Sequence, residues 1–204
     1  MDVAEPRPNP YCHGMQEHPS AYAERAKLSS TNASTDSTNL LPLSLHLSQG
    51  LAYTTGSAVG STPPSTDACL AAFVSPNNVG LTAGARAWSK HAHRSQSQHV
   101  PPEEARKNAE LSAGWWGTPS GPVAVINERA LVIFWKVMNA ATWRNLHWLP
   151  HQILVYEARV AEGYGMRWSQ DRSGVQANDD APEWIFRGFV EPMMEGGHDV
   201  GWRH

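Results

Sequence analysis

The sequence predicts an α+β domain, with two helices followed by a three-stranded antiparallel meander and a largely disordered N-terminal segment ahead of them. Two observations predict this fold class. All nine Trp of the 204-residue chain lie at or after Trp88, and Trp has the largest apolar area to bury. Apolar residues also recur at helical spacing around residue 130 and alternate with polar ones beyond residue 152.

Residues 1–85 differ in composition from the rest of the chain. They are rich in Ser, Thr, Asn, Pro and Gly and contain no Trp. Such a composition does not offset the entropy lost when a chain becomes ordered. We therefore expect residues 1–85 to be a low-complexity, largely disordered extension and residues 86–204 to be an α+β globular domain. The apolar runs at 40–48 and 68–74 are expected to form local clusters only.

Two helices are predicted in the second half. The first covers 101–112, because Pro101 and Pro102 fit a helix start and the acidic residues behind them favour its positive end. The second covers 122–141, because Ile126, Ala130 and Ile133 begin an apolar series at steps of three and four. Residues 142–151, which are dense in aromatics and interrupted by a proline, are assigned to no element.

Three strands are predicted at 152–160, 164–169 and 183–190 from their alternating patterns. In the first strand, Glu157 and Arg159 share one face and Tyr156 lies on the other. Glu162 and Gly163 form the turn to the second strand. Pro192 ends the third strand, because proline cannot continue a hydrogen-bonded ladder.

Charge and hydropathy restrict the expected partners. The formal net charge is −3, and the basic stripe typical of nucleic-acid binding is missing from the sequence. No apolar run approaches the roughly 20 residues that a membrane span needs. We therefore expect a protein or small-molecule ligand, with no nucleic acid and no membrane as partner. The acidic, proline-rich start lacks the pattern of a secretory signal, which predicts an intracellular protein, cytoplasmic or nuclear.

Candidate site residues concentrate near the C-terminus. Residues 186–204 include Glu191 and His198, which are side-chain types that act as acid–base groups. His147 and His151 are four residues apart, but Pro150 between them argues against a shared helical face, so no metal site is predicted. Cys12 and Cys69 are too far apart for a CxxC motif.

Three interpretations of these residues stay open. The leading one is a non-catalytic domain that binds a ligand in an aromatic-lined pocket; the binding residues would be Arg144, His147, Trp168, Glu191 and His198. The alternative is a hydrolytic or acid–base enzyme, metal-dependent or not, with Glu191, His198 and His147 as catalytic groups. The third is an interaction module whose disordered N-terminal segment recruits a partner. The C-terminal block is expected to be part of the core first and a site second, since Trp202 has a large apolar area to bury. No cofactor is identified.

Several stretches within residues 86–204 resemble a family of small uncharacterised eukaryotic proteins from plants, algae and fungi. The resemblance rests on EGYGMRW at 162–168, which matches an EGYGxRW turn, and on FRGFVEPMMEGGHDVGWRH at 186–204, which is similar to a closing FxGFxEPxxExGHxxGWxH block. It implies an intracellular eukaryotic protein whose domain begins near Arg86. The family has no assigned activity, so the resemblance implies no catalytic residue.

Overall fold

The computed structural model describes residues 9–30, 41–95, 114–176 and 180–193, apart from the side chains of residues 29 and 30. Within these ranges the chain forms five α-helices: α1 (Ala21–Ser30), α2 (Pro42–Ser48), α3 (Thr66–Val74), α4 (Ala83–His91) and α5 (Val123–Ala140). Four strands follow: β1 (Trp143–Leu149), β2 (Ile153–Arg159), β3 (Gly165–Asp171) and β4 (Ile185–Val190). The architecture is α+β, as the sequence predicts, but two helices and three strands are the wrong number of elements.

The four strands form one antiparallel meander in the order β1-β2-β3-β4. The strand missing from the prediction is β1, whose residues pair with β2 from Trp143 opposite Arg159 to Leu149 opposite Ile153. Pro150 does not disrupt β1, because it lies in the tight turn that follows the strand. In that turn His151 and Gln152 have positive φ angles of 63° and 59°. Pro150 therefore marks the end of a strand that the sequence analysis overlooked.

One face of the sheet carries the main core. Leu146, Tyr156 and Trp168 project from neighbouring strands on this face, and all three are buried. Helices α3, α4 and α5 pack over it. Phe73 of α3 lies at the centre, with its ring centroid 5.1 Å from that of Phe134 and 4.8 Å from that of Phe186.

The expectation that residues 1–85 are largely disordered is wrong for the part of this segment that the structure describes. Helices α3 and α4 begin with the side chains of Ser65 and Thr82, which accept hydrogen bonds of 3.1 Å from the backbone N–H three residues on. Leu51, Cys69 and Phe73 are at most 1% exposed in the shared core. Buried apolar side chains such as Phe73 and Leu51, together with helix caps, therefore order this segment without any Trp. Whether a domain boundary lies at residue 86 stays a prediction.

Residues 51–58 also cover the outer edge of β1. The N–H groups of Ala52 and Ala58 each donate a 2.7 Å hydrogen bond to β1, to the carbonyl oxygens of Arg144 and Leu146. The N–H of Trp148 donates to the carbonyl oxygen of residue 56 at 3.2 Å. The segment therefore satisfies an edge that would otherwise present unpaired backbone groups.

The predicted helix at 101–112 lies outside the described residues. None of the helices within the described ranges combines the length and the hydropathy that a membrane-spanning segment needs.

Candidate active site on the polar face of the sheet

The face of the sheet opposite the main core carries an unusual group of polar side chains. The register places Asn145 beside Glu157 and Glu157 beside Arg167, so these three residues form a row across β1, β2 and β3. His147 and Arg159 lie two residues further along their strands and therefore on the same face. Five polar or charged groups thus share one sheet face, where most antiparallel sheets present either a core or scattered solvated residues.

Glu157 is held between two arginines at the centre of this face. Its Oε1 accepts a 2.6 Å hydrogen bond from Nε of Arg159, and its Oε2 accepts a short one from Nε of Arg167. The Glu157 and Arg159 side chains are 2% and 1% exposed, whereas Arg167 is 29% exposed. Burial raises the pKa of Glu157, but the two guanidinium groups outweigh it and hold the pKa below its ordinary value. Glu157 is therefore ionised at neutral pH.

Arg159 is fixed from two directions. Besides its bond to Glu157, its Nη1 donates to the carbonyl oxygens of Gly163 at 2.6 Å and Glu191 at 2.7 Å. Gly165 leaves room for the side chain, because a Cβ at that position would lie 2.7 Å from Cγ of Arg159. Arg159 is thus a rigid, buried support for Glu157.

The terminal nitrogens of Arg167, unlike those of Arg159, have no partner among the described residues. The side chain donates one hydrogen bond there, from Nε to Glu157. The carboxylate therefore orients the guanidinium group, and as far as the described residues extend the two terminal nitrogens can bind an incoming acceptor. A guanidinium group of this kind binds phosphate with well-defined geometry.

His147 lies beside this ion-pair cluster, half-buried. Its Nδ1 is buried and has no hydrogen-bond partner among the described residues. Burial lowers the pKa of His147, the carboxylate of Glu157 opposes this shift, and the charges of Arg167 and Arg159 add to it. The imidazole is therefore neutral at neutral pH and able to accept a proton.

A cleft of about 280 Å³ exposes this cluster. It is lined on the sheet side by His147, Glu157 and Arg167 and on the other side by residues 54–56 and Met193. The side-chain amide of Asn145 connects the two sides of the cleft. Its Nδ2 donates to Oγ1 of Thr54 at 3.3 Å, and its Oδ1 accepts from Oγ of Ser57 at 3.4 Å. The segment predicted to be disordered therefore forms one wall of the candidate site.

The structure separates the residues predicted to bind a ligand. Arg144 is on the core side of the sheet, where it donates to the carbonyl oxygens of Met138 and Ala141 at the end of α5. Trp168 is fully buried in the main core, and its Nε1 donates to the carbonyl oxygen of Cys69 at 3.0 Å. Neither side chain lines the cleft that contains His147.

Glu191 contributes its backbone rather than its carboxyl group to the cluster, through the bond from Arg159. The side chain is buried, and its Oε1 has no hydrogen-bond partner within the described ranges. Burial raises the pKa of Glu191, and the neighbouring charge of Arg94 only partly opposes this shift. His198 and Trp202 lie outside the described residues, so of the three predicted catalytic groups only His147 is placed in the cleft.

Sequence reasoning missed the residues that surround His147. The alternation in β2 shows that Glu157 and Arg159 share a face, and this is the one signal that the sequence offers. The pattern does not reveal that Arg167 is paired with Glu157, because that depends on the β2–β3 register. In the part of the chain that the structure describes, no three His, Cys, Asp or Glu residues are grouped in a way that could hold a metal ion.

Comparison with known families identifies the chain. Residues 72–191 match the family model of the CdiA C-terminal tRNase toxin domain. The match covers more than half of the sequence, so the chain belongs to this family. No curated protein matches the chain, and no solved structure matches it either.

Family membership corrects three expectations. The family is one of bacterial contact-dependent inhibition toxins, so the assignment to an uncharacterised eukaryotic family is wrong. A tRNase toxin domain is a nuclease, so the leading interpretation as a non-catalytic ligand-binding domain is wrong, and the enzyme alternative fits better. The exclusion of nucleic acid as a partner is wrong as well, because such a domain acts on tRNA. A nearly neutral overall charge therefore does not exclude nucleic acid as a partner.

Proposed function

We propose that this member of the CdiA C-terminal tRNase toxin domain family cleaves tRNA in the cleft that contains His147. One observation carries the proposal: a half-buried histidine with a lowered pKa lies in the same cleft as an arginine that is oriented by a buried carboxylate and whose terminal nitrogens have no partner among the described residues. Together these groups supply a proton acceptor and a phosphate-binding cation.

The chemistry of RNA explains why these two groups suit the reaction. RNA carries its own nucleophile, the 2′-hydroxyl next to each phosphodiester. When this oxygen attacks phosphorus, the 5′-oxygen leaves, and the products are a 2′,3′-cyclic phosphate and a free 5′-hydroxyl. The step needs a base for the 2′-hydroxyl proton, an acid for the leaving oxygen and positive charge for the phosphoryl oxygens.

We assign the base to His147 and the phosphate-binding role to Arg167. The lowered pKa of His147 keeps its ring in the proton-accepting form at neutral pH. Glu157 is a positioning residue, because both of its oxygens are occupied by arginines and its lowered pKa makes it a weak base. Arg159 holds Glu157 in place from the buried side.

A second proton-transfer group is required for the leaving oxygen, and we propose His198 for it. The sequence predicts His198 as a catalytic group, and Met193, five residues before it, lines the cleft. His198→Gln should therefore lower kcat by about 100-fold, the usual contribution of one acid–base group.

The central experiment compares cleavage of unfractionated tRNA by the full-length chain and by single variants. His147→Gln and Arg167→Ala should each lower kcat/KM at least about 100-fold. His151→Gln is the matched control, because His151 is exposed and does not line the cleft. Products should end in 2′,3′-cyclic phosphate, and tRNA with a 2′-deoxy sugar at the cleavage position should resist cleavage. Full activity in His147→Gln would place the catalytic centre elsewhere.

A further inference from the structure

Strand β4 contains a bulge directly opposite Arg167. Arg167 pairs with Gly188 and the next residue, Trp168, pairs with Phe186, so Arg187 is an extra residue without a partner in β3. Gly188 has a φ of +134°, a backbone conformation that residues other than glycine rarely adopt. The irregularity is therefore encoded in the sequence at Gly188, and bulges of this kind redirect a side chain.

The bulge brings Arg187 next to Arg167. Arg187 is exposed, and together with Arg167, Gly188 and Val190 it lines a second hollow of about 180 Å³. Arg167 also lines the catalytic cleft, so the two hollows adjoin at its side chain. In a regular β4 the side chains would alternate strictly between the two faces of the sheet, and Arg187 would have a partner in β3.

The second hollow has an excess of positive charge. No carboxylate lines it among the described residues. The Arg187 side chain makes no hydrogen bond or ion pair within the described part of the chain, and the Arg167 side chain has Glu157 as its single partner there. Within the described residues, Arg187 therefore adds a positive charge without a counter-charge beside Arg167, and planar guanidinium groups favour phosphate.

We propose that the hollow at Arg187 is a second phosphate subsite, which binds a phosphodiester neighbouring the one cleaved beside Arg167. This inference rests on the proposed function, because it assumes that the bound polyanion is the RNA substrate. Arg187 is a substrate-positioning residue with no part in proton transfer. The two subsites together set the direction in which the RNA strand crosses the sheet.

The test measures tRNA binding in the cleavage-deficient His147→Gln background at several salt concentrations. Adding Arg187→Ala should weaken binding and reduce the slope of log K against log salt by about 0.7 to 0.9, the value for one lost phosphate contact. Arg129→Ala is the matched control, since Arg129 is exposed on α5, which packs against the opposite side of the sheet. The control should leave the slope unchanged. Arg187→Lys, which keeps the charge, should retain most of the slope.

Steady-state kinetics in the otherwise unaltered chain supply the second measurement. Arg187→Ala should raise KM several-fold and leave kcat within about twofold, because uniform binding affects KM alone. An unchanged slope and an unchanged KM in Arg187→Ala, or a slope that falls equally in Arg129→Ala, overturns the subsite. If tRNA binds through Arg187 but the unaltered chain does not cleave it, the proposed function fails and the subsite stands. Cleavage that depends on His147 but not on Arg187 supports the proposed function and overturns the subsite.

Discussion

The two faces of the β-sheet are built from alternate residues of the same strands and have opposite chemistry. On β2, Tyr156 and Ala158 project into the main core, while Glu157 and Arg159 project from the other face. All four are at most 4% exposed. On β2 the two faces therefore differ in the chemistry of the side chains that they bury and hardly at all in how deeply those side chains are buried.

We propose that this difference separates stability from function. Burying apolar side chains stabilises the fold, whereas burying charges is costly unless they are paired. The Glu157–Arg159 pair is buried and therefore bears this desolvation cost. Arg167 and His147, by contrast, face the cleft. A buried ionic network beside an open polar cleft is typical of a prearranged site rather than of a stabilising device.

The largest expected effect comes from deleting residues 1–85, which contribute to both faces. Deletion removes Phe73 from the core face and residues 51–58 from the edge of β1 and the wall of the cleft. We expect the remaining chain to lose its cooperative unfolding transition, measured by circular dichroism in urea. A deletion variant that unfolds with nearly the parent midpoint would establish residues 86–204 as an independent domain.

The next largest effect is expected on the core face. Trp168→Ala removes a fully buried side chain and should lower the free energy of unfolding by about 4 to 5 kcal/mol. Under conditions where the variant is folded, kcat/KM for tRNA should stay close to that of the parent. Urea unfolding and tRNA cleavage measure the two effects. A selective loss of tRNA affinity would instead support the ligand-binding role predicted for Trp168 from the sequence.

A smaller loss of stability, combined with a loss of activity, is expected on the polar face. Glu157→Gln leaves Arg159 buried without its counter-charge and should cost about 3 kcal/mol at neutral pH. Because the folded-state pKa of Glu157 lies below the ordinary 4.5, this contribution is complete above pH 4.5 and is lost as pH falls through the lowered pKa. Urea unfolding of both proteins from about pH 3 to about pH 7 should show their stabilities converging at acid pH. Parallel curves would contradict the ion-pair account.

The smallest expected effect is a shift in the pH profile of cleavage. His147 must be neutral to accept a proton, so the acid limb of kcat/KM should have its midpoint below the ordinary histidine pKa of 6.5. Arg167→Ala removes a nearby positive charge and should move the midpoint upward, whereas Glu157→Gln removes a negative charge and should move it downward. Each shift should be under about one pH unit. Identical midpoints in the parent and both variants would show that the acid limb does not report the titration of His147.

The sequence is sufficient for the elements with strong local patterns. The apolar spacing predicts a helix over 122–141 and α5 is Val123–Ala140, while β2 to β4 lie close to their predicted positions. In each case the spacing repeats over several turns or residue pairs, and burial of one side follows from that spacing. Strand β1 escapes prediction because its Arg, Asn and His are interspersed with aromatic residues. Its sequence therefore shows no clear alternation of polar and apolar residues.

The candidate site depends on contacts that no local pattern contains. His147 is predicted from its residue type, but its partners come from β2, β3 and residues 54–56, which the chain brings together only through strand register and edge pairing. The bulge in β4 also turns Phe186 and Phe189 to the same core, where strict alternation places them on opposite faces. Local spacing thus determined α5 and strands β2 to β4, because backbone hydrogen bonding imposes a period. Tertiary structure decided which charged groups meet, because pairing between segments distant in the chain is set by the packing of the whole sheet.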